Sequence, residues 1–542
     1  MSVFMSPGVY SLEKDVSNIV SGVATASAAL VGYSGKGDVE NIKLITNTQQ
    51  FIGEYGEPDP STGHYFHYSA LAFLEQGRVL QCLRVDNGAL YGGVSIMKSD
   101  SSEVNEELSA GLSSRAFSAE SGLDDDVVFQ IVGVNPGVWN DKIGIIISDV
   151  KGGSETVATD QYTFVIDVYH QDSDGNWSQV ETWKVSRKIK IDGFGKQLYL
   201  EDRVNGVSKY IWILDSDLVD TALPLEQEDR LAFASGSDGS DITASELIAG
   251  WDNFINPDKI DVRILINGGE TAVTVQNKMK SVAETRADCF AILDVPWASL
   301  ASVADTVTFR NTTQNFDSSY CSDFAGWGRI YDIYNDMLID VPPSGYVAAQ
   351  CAYNDAVGKP WTAPAGKTRG RLNILGVYGP GGRLVYTAGE RDTLYTAGIN
   401  PIQTFEGEGN LIYGQKTLQS KGSALNRINV RRSLIVMEKS MAIAMRDFVF
   451  EPNDELTRFR VEAMLNEYFS RLAAEGAFQT EGGDFGYNVV CDESNNATVI
   501  IDDNQLNVDV FVKPSRAAEF IQLRTISTST GTSFEELMAR GI

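Results

Sequence analysis

The sequence predicts a multidomain chain that combines α/β and α+β architecture. Three observations carry that expectation. The chain has 542 residues, which at about 150 residues per domain means about three or four domains. Strand-like and helix-like segments alternate over residues 21–95 and again over 246–345, the order of an α/β layer. Between them, residues 96–245 read as β-patterned runs punctuated by Asp-Gly and Asn-Gly turns. Hydrophobic residues are 43% and charged residues 22% of the chain, ordinary globular proportions that exclude a disordered, collagen-like or membrane-embedded chain.

Taken in order, residues 1–20 hold little that could form a core, but Pro7-Gly8-Val9-Tyr10 suits a short extended arm. Residues 28–35 (AALVGYSG) form a small-residue apolar strand. Residues 65–76 are a helix, with Tyr68, Leu71, Ala72 and Phe73 on adjoining helical positions and Gly77 as its stop, and residues 79–85 are a strand. An acidic linker then leads to strands over 127–132, 143–147, 162–169, 180–185 and 210–214, with turns at Asp174-Gly175, Asp192-Gly193 and Asn205-Gly206. Residues 262–268 and 290–296 are strands flanking a helix at 275–287.

Further on, Pro452, Asn453, Asp454 and Glu455 start the clearest helix. Its apolar face is expected to hold Leu456, Phe459, Met464, Leu465, Tyr468, Phe469 and Leu472. Residues 506–514 alternate at period two, as in a strand with one buried face. Residues 1–20 and 516–542 are too poor in apolar residues to fold alone. Each holds one strand-capable stretch, 8–12 (with Gly8, Val9 and Tyr10) and 519–524 (with Phe520, Ile521 and Leu523). An extended segment of this kind gains main-chain hydrogen bonds by adding to an open sheet edge, so both ends are expected to donate strands to neighbouring subunits.

Charge narrows the function. Forty-four Lys plus Arg against 73 Asp plus Glu leave a net charge of −29, without the basic footprint of a nucleic-acid or anionic-membrane binder. Residues 101–245 carry 26 acids and 11 bases, net −15, and residues 346–542 carry 23 and 20, net −3. The middle reads as a solvated module, and the end as a part that tolerates packing among copies of itself. Compositional drift between domains explains the split equally well. The five cysteines are scattered and include no CxxC, so neither disulfides nor a zinc site is expected and a reducing compartment is the simplest reading. The first residues lack the basic start and apolar core of a secretory signal, and no segment reaches the ~20 apolar residues of a membrane span.

Motifs for catalysis are weak. Gly366-Lys367-Thr368 copies the end of a Walker A loop. Trp361 stands where that loop needs its first glycine, and Pro360 and Pro364 remove N–H donors from the cradle. Asp172-Ser-Asp-Gly-Asn-Trp177 has Trp177 and Trp183 where a calcium loop needs glycine and glutamate, so a hairpin turn is expected. The only histidines are His64, His67 and His170, which leaves the later two-thirds of the chain without a histidine base. His64 and His67 are three apart but have no helical carboxylate between them. Catalytic, cofactor-binding and metal residues are therefore expected to be absent.

One basic patch remains. Lys416, Lys421, Arg427, Arg431, Arg432, Lys439 and Arg446 face one acid, Glu438, between residues 410 and 446. The patch is either a solvated helix face or an electrostatic contact with an acidic partner.

These segments together resemble a known family. SPGVY near the start, YSALAFLEQGRVLQCLRV (68–85), NPGVWNDKIGIII (135–147), FAILDVP (290–296), KPWTAPAGKTRG, GINPIQTFEGEGNLIYGQKTL, RINVRR and FVFEPNDELTRFRVEAML follow one another in the order found in contractile bacteriophage tail sheath proteins. The likeness runs over more than four hundred residues.

The resemblance implies a subtilisin-like α/β domain made of 21–95 and 246–345, an outer β-rich insertion at 96–245, and an inner C-terminal assembly domain at 346–515. Linking arms at 1–20 and 516–542 flank them. It implies a structural, non-enzymatic subunit that polymerises as stacked hexameric rings around a tail tube. Contraction would then drive the tube through the host envelope for genome delivery. Partners would be the tube, baseplate and tail terminator proteins, with no nucleic acid and no membrane insertion. The location would be the virion tail, assembled in the host cytoplasm. Arg427, Arg431, Arg432 and Lys439 are expected to line the inner surface and meet acids on the tube. A genome-free contractile injection machine is the alternative, and a nucleotide-binding enzyme using Lys367 and Thr368 is the rival from another class.

Overall fold

A computed structural model describes residues 26–118, 126–155, 161–172, 174–480 and 482–520. The arm residues Gly8, Val9 and Tyr10 and the tail residues Ile521 and Leu523 lie outside the described residues. The chain divides into two units, Met1–Glu451 and Pro452–Ile542.

The first unit is organised by a nine-stranded sheet. Its order is Arg371–Leu372, Gly409–Ile412, Ile399–Phe405, Cys321–Ala325, Phe290–Asp294, Ile264–Ile266, Ser27–Tyr33, Val79–Val85 and Lys43–Ile45. The six strands from Ile399–Phe405 to Val79–Val85 are parallel, and the outer ones pair antiparallel. In chain order the parallel strands run 2-1-3-4-5-6, a doubly wound arrangement.

Because both faces are covered, the strands are near-continuous apolar runs. Ala28, Leu30, Ile264 and Ile292 point into one core and Ala29, Val31, Leu265 and Leu293 into the other. Helices Phe66–Leu74 and Ser344–Val357 cover the first face, and Ala244–Asp252 and Val273–Arg286 the second. Close approach dictates small residues here. A Cβ on Gly32 would lie 2.7 Å from the Phe66 ring, and one on Gly345 2.6 Å from the Ser69 carbonyl oxygen. The expected α/β layer is thus present, with strands and helices within a few residues of their predicted bounds.

The insertion is a β-sandwich. Ile211–Asp215, Val127–Gly133, Gly93–Met97 and Glu106–Glu107 form one antiparallel sheet, and Gln227–Ala232, Ile143–Ser148, Phe164–Gln171 and Trp177–Val185 the other. Their inner faces share one core, in which the Phe129 and Phe164 rings stack at 5.5 Å. The Asp172–Trp177 segment is the turn between two of these strands, its Asp172 carboxylate accepting from the Asp174 and Asn176 amides. Bridges Asn87 to Gly239 and Leu90 to Ser237 close the module at its root. There the fully buried Arg84 donates to the Gly37 and Pro136 carbonyls, both at 2.8 Å.

Gly93–Met97 pairs with Val127–Gly133 in the first sheet of the insertion. Strands beyond residue 345 join the nine-stranded sheet as well. Ile399–Phe405, Gly409–Ile412 and Arg371–Leu372 extend the same sheet, and the division into units falls at 451/452. No local pattern shows which sheet a strand joins, and Ile399–Phe405 pairs with Cys321–Ala325, far away in sequence.

The second unit holds the helix Glu455–Ala474, capped by the Asp454 carboxylate on the Thr457 amide at 2.7 Å. Val461, Met464, Leu465, Tyr468, Phe469 and Leu472 form its buried face. Leu456 and Phe459 do not: they are 55% and 66% exposed, against expectation. At about 100° per residue they lie on the opposite side of the helix from the stripe that contacts the strands, and an apolar residue type alone does not say which face is covered.

Candidate functional site

The second unit ends in a sheet of two strands among the described residues, Tyr487–Val490 and Asp509–Val512. They pair antiparallel, Tyr487 opposite Val512 and Val490 opposite Asp509. The strand Asp509–Val512 shows the predicted period of two, with Val510 and Val512 half-buried and Asp509 and Phe511 exposed. Past it, the Ser515 amide donates to the Ala477 carbonyl and the Gln479 amide to the Lys513 carbonyl, so the chain turns back along residues 477–479. The sheet is anchored on the helix by Phe469, whose ring lies 5.7 Å from Tyr487 and 5.9 Å from Phe478. Two strands alone are marginal in water and leave rows of main-chain donors and acceptors. Such an edge is chemically an acceptor for further strands. Phe520, the described member of the tail set, is 81% exposed and belongs to no strand.

The basic patch is differently placed from expectation. Residues Ile428–Met445 are helical, with Arg427 at the N-cap position. The Arg427 guanidinium donates to the Asn426 side-chain oxygen at 2.7 Å, and the residue is half-buried. Arg431 donates to the Ser319 hydroxyl at 3.0 and 2.8 Å and lies 4.0 Å over the Tyr320 ring. Arg432 makes a two-pronged ion pair with Asp355 at 3.0 and 2.6 Å, both side chains buried. Burial alone would lower the Arg432 pKa, but the facing carboxylate outweighs it and the net shift is upward. Lys439 reaches the Asp288 carboxylate at 2.8 Å, which Arg286 also holds at 2.8 Å.

So Arg431, Arg432 and Lys439 do not form an exposed basic surface. Their helix buries Ile428, Val430, Ile435 and Met437 against the unit, which turns Arg432 and Lys439 onto acids from distant segments and Arg431 onto Ser319 and Tyr320. The sequence alone left open whether this stretch is helical, and the acids that neutralise Arg432 and Lys439 are invisible to a local reading.

Gly366–Arg369 is a single helical turn, and the Lys367 ammonium pairs with Glu408 at 2.8 Å on the surface, while Trp361 is buried. His64 pairs with Glu270 at 2.9 Å. His67 is buried between the Ser34 hydroxyl and the Tyr55 carbonyl, and burial pushes its pKa down to about 4. It is a neutral core residue at ordinary pH. Among the described residues no group of three His, Cys, Asp or Glu is placed to hold a metal ion, and no helix is long and apolar enough to cross a membrane.

A buried polar strut escaped sequence reasoning. At the carboxyl end of Phe290–Asp294, the Asp294 carboxylate accepts from the Ser344 amide at 2.8 Å, the Ser344 hydroxyl at 2.7 Å and the Gly269 amide at 3.0 Å. Burial raises its pKa to about 7. Neighbouring Asp323 is pushed up to about 6, again by burial, with Gln314 donating to it at 3.0 Å. Ser344 donates to Asp294 and accepts from the Gly268 amide at 3.0 Å, so its hydroxyl ties the helix Ser344–Val357 to the sheet. No residue spacing announces such a contact.

Residues 240–418 match the phage tail sheath protein central domain, and residues 420–528 the phage tail sheath C-terminal domain. The tail sheath protein of Enterobacteria phage T4 is 26% identical, over 98% of this chain and 99% of that protein. The tail sheath protein of Vibrio phage KVP40 is 32% identical over 56% of this chain and 48% of its own length. Among solved structures, the helical sheath of the anti-feeding prophage in its contracted state has a similar fold. Its TM-score is 0.54 at 16% identity, over 97% of this chain and all of that one.

Proposed function

The chain belongs to the phage tail sheath family, and from that premise we propose how it works as a contractile sheath subunit. Copies stack helically around a tail tube as rings of six and shorten together to drive the tube through the host envelope. The observation that carries the assembly reading is the two-stranded edge built from Tyr487–Val490 and Asp509–Val512. A strand donated by one copy to the edge of another is a head-to-tail contact, and repeated head-to-tail contacts generate an open helix. The ends of the chain, including Gly8, Val9, Tyr10, Phe520, Ile521 and Leu523, are the proposed donors.

Contraction in this reading exchanges one set of subunit contacts for another of lower energy, with the folded units moving as bodies and no nucleotide consumed. The surface ion pair of Lys367 with Glu408 supports a structural role for the Walker-like turn. The subtilisin-like relationship of the α/β domain, an outward position for the insertion, contact with baseplate and terminator proteins, and assembly in the host cytoplasm before incorporation in the virion tail belong to the same proposal. Contact with the tube is proposed at Arg427, half-exposed at its helix start. Arg431, Arg432 and Lys439 are spent inside the chain. A genome-free injection machine is the second reading, supported by a likeness in fold to the contracted sheath of an extracellular contractile injection system.

Negative-stain electron microscopy of the purified protein tests the reading. Long hollow tubes are expected. Persistent monomers or small closed oligomers under all conditions would refute it.

A further inference from the structure

The insertion carries a projection that neither its sandwich core nor the two-stranded edge uses. Just beyond strand Trp177–Val185 the chain forms a narrow finger. Ile191 bridges Gln197, the Leu198 amide donates to the Lys190 carbonyl at 2.8 Å, and the Asp192 amide donates to the Lys196 carbonyl at 2.8 Å. The tip is held rigid by the Asp192 carboxylate, which accepts from the Phe194 and Lys196 amides, both at 2.8 Å. What this turn presents is apolar: Phe194 is 94% exposed, Ile189 79% and Ile191 62%. Single exposed apolar residues are ordinary, but three large ones grouped on one ordered projection mark a contact surface.

The finger is also basic within an acidic module. Residues 186–198 hold four of the eleven bases of residues 101–245, Lys188, Lys190 and Lys196 besides the buried Arg187, against one acid, Asp192. Lys188 lies 4.1 Å over the Tyr162 ring, and Lys196 is exposed.

At its root, the buried Arg187 gathers a second loop. It pairs with Asp215 at 2.7 Å and donates to the carbonyls of Val219 at 2.9 Å, Ser216 at 3.1 Å and Leu218 at 2.9 Å. That loop exposes Val219 between Asp217 and Asp220. One guanidinium thus places a basic apolar projection beside an acidic apolar one. A surface of this kind is complementary to the same surface on another copy.

We propose that this end of the insertion is a contact between copies of the chain, the Ile189, Ile191 and Phe194 finger of one seating against the Asp217, Val219 and Asp220 loop of another. The inference rests on the sheath reading in one respect, that a helical polymer holds copies at high local concentration. A second copy is the occupant because the chain is itself an acidic partner, with net charge −29, and because finger and loop pair cation with anion and apolar with apolar.

The native cysteines are buried, so introduced surface cysteines report alone. Chains carrying Gly193→Cys, which leaves Phe194 in place, are mixed with chains carrying Thr221→Cys, assembled and oxidised. A disulfide-linked dimer is expected from the mixture and not from either variant alone. Lys196→Glu in the first chain should abolish it, and Asp220→Lys in the second should restore it. Tubes that form without cross-linked dimer overturn the contact and leave the sheath reading intact. If no tubes form, the sheath reading fails, and the same mixture in concentrated solution decides the contact, absence of dimer overturning it. Retention on phosphatidylglycerol vesicles that depends on Phe194, without cross-linking, overturns it in favour of a membrane.

Discussion

Replacing Arg432 by methionine tests whether the basic helix is internal structure or a partner surface. The guanidinium and the Asp355 carboxylate are 5% and 1% exposed and joined at 3.0 and 2.6 Å. Removing one member of such a buried pair costs about 3–5 kcal/mol, because the other charge stays out of water. At ~1.4 kcal/mol per decade, the unfolded fraction of the unit should rise about a hundred-fold to several thousand-fold. Arg432→Met combined with Asp355→Leu removes both charges and should return stability to within about 1 kcal/mol of the parent or exceed it. Pulse proteolysis in urea on the unassembled subunit measures both. The units need not unfold together, so the loss is scored on peptides from Met1–Glu451. An unchanged urea midpoint for Arg432→Met, with tube assembly lost, would refute the internal assignment and return Arg432 to the tube-facing surface.

Three other outcomes are expected. Deleting residues 1–13, or everything after Arg516, should give a folded, soluble subunit that does not polymerise; normal tubes from both truncations would exclude strand donation, and loss of folding, read by circular dichroism, would mean that the ends complete their own sheet. Joining Asp86 to Asp241 by a short flexible linker should leave the nine-stranded sheet folded and competent to form tubes, provided Arg84, which loses the Pro136 carbonyl, is replaced by leucine; a folded product that never forms tubes would make the insertion essential to assembly. Asp294 has a pKa of about 7 in the fold, above the ~3.9 of an unfolded aspartate. The folded state therefore binds the extra proton between those values, and this group's contribution to stability is full below pH ~4 and lost as pH rises through about 7. Asp294→Asn should flatten that part of the urea-midpoint-against-pH curve, and an unchanged slope would assign it to other groups.

Several strands, the helix Glu455–Ala474 and the Asp174-Gly175 hairpin turn were legible from residue order alone. Val79–Val85 and Phe290–Asp294 are apolar runs bounded by turn residues, and Asp174-Gly175 can only punctuate a tight reversal. The arms are a limiting case, since their low apolar content says that they do not form a core but not where they go. Tertiary structure decided the rest. That Ile399–Phe405 completes the sheet begun by Ser27–Tyr33, that Asp355 and Asp288 neutralise Arg432 and Lys439, and that Leu456 and Phe459 face outward all depend on contacts between segments far apart in sequence. Local patterns set which backbone conformation costs least and which side chains avoid water. Which charge meets which, and which apolar face stays open for another chain, is settled only when distant segments compete for the same space.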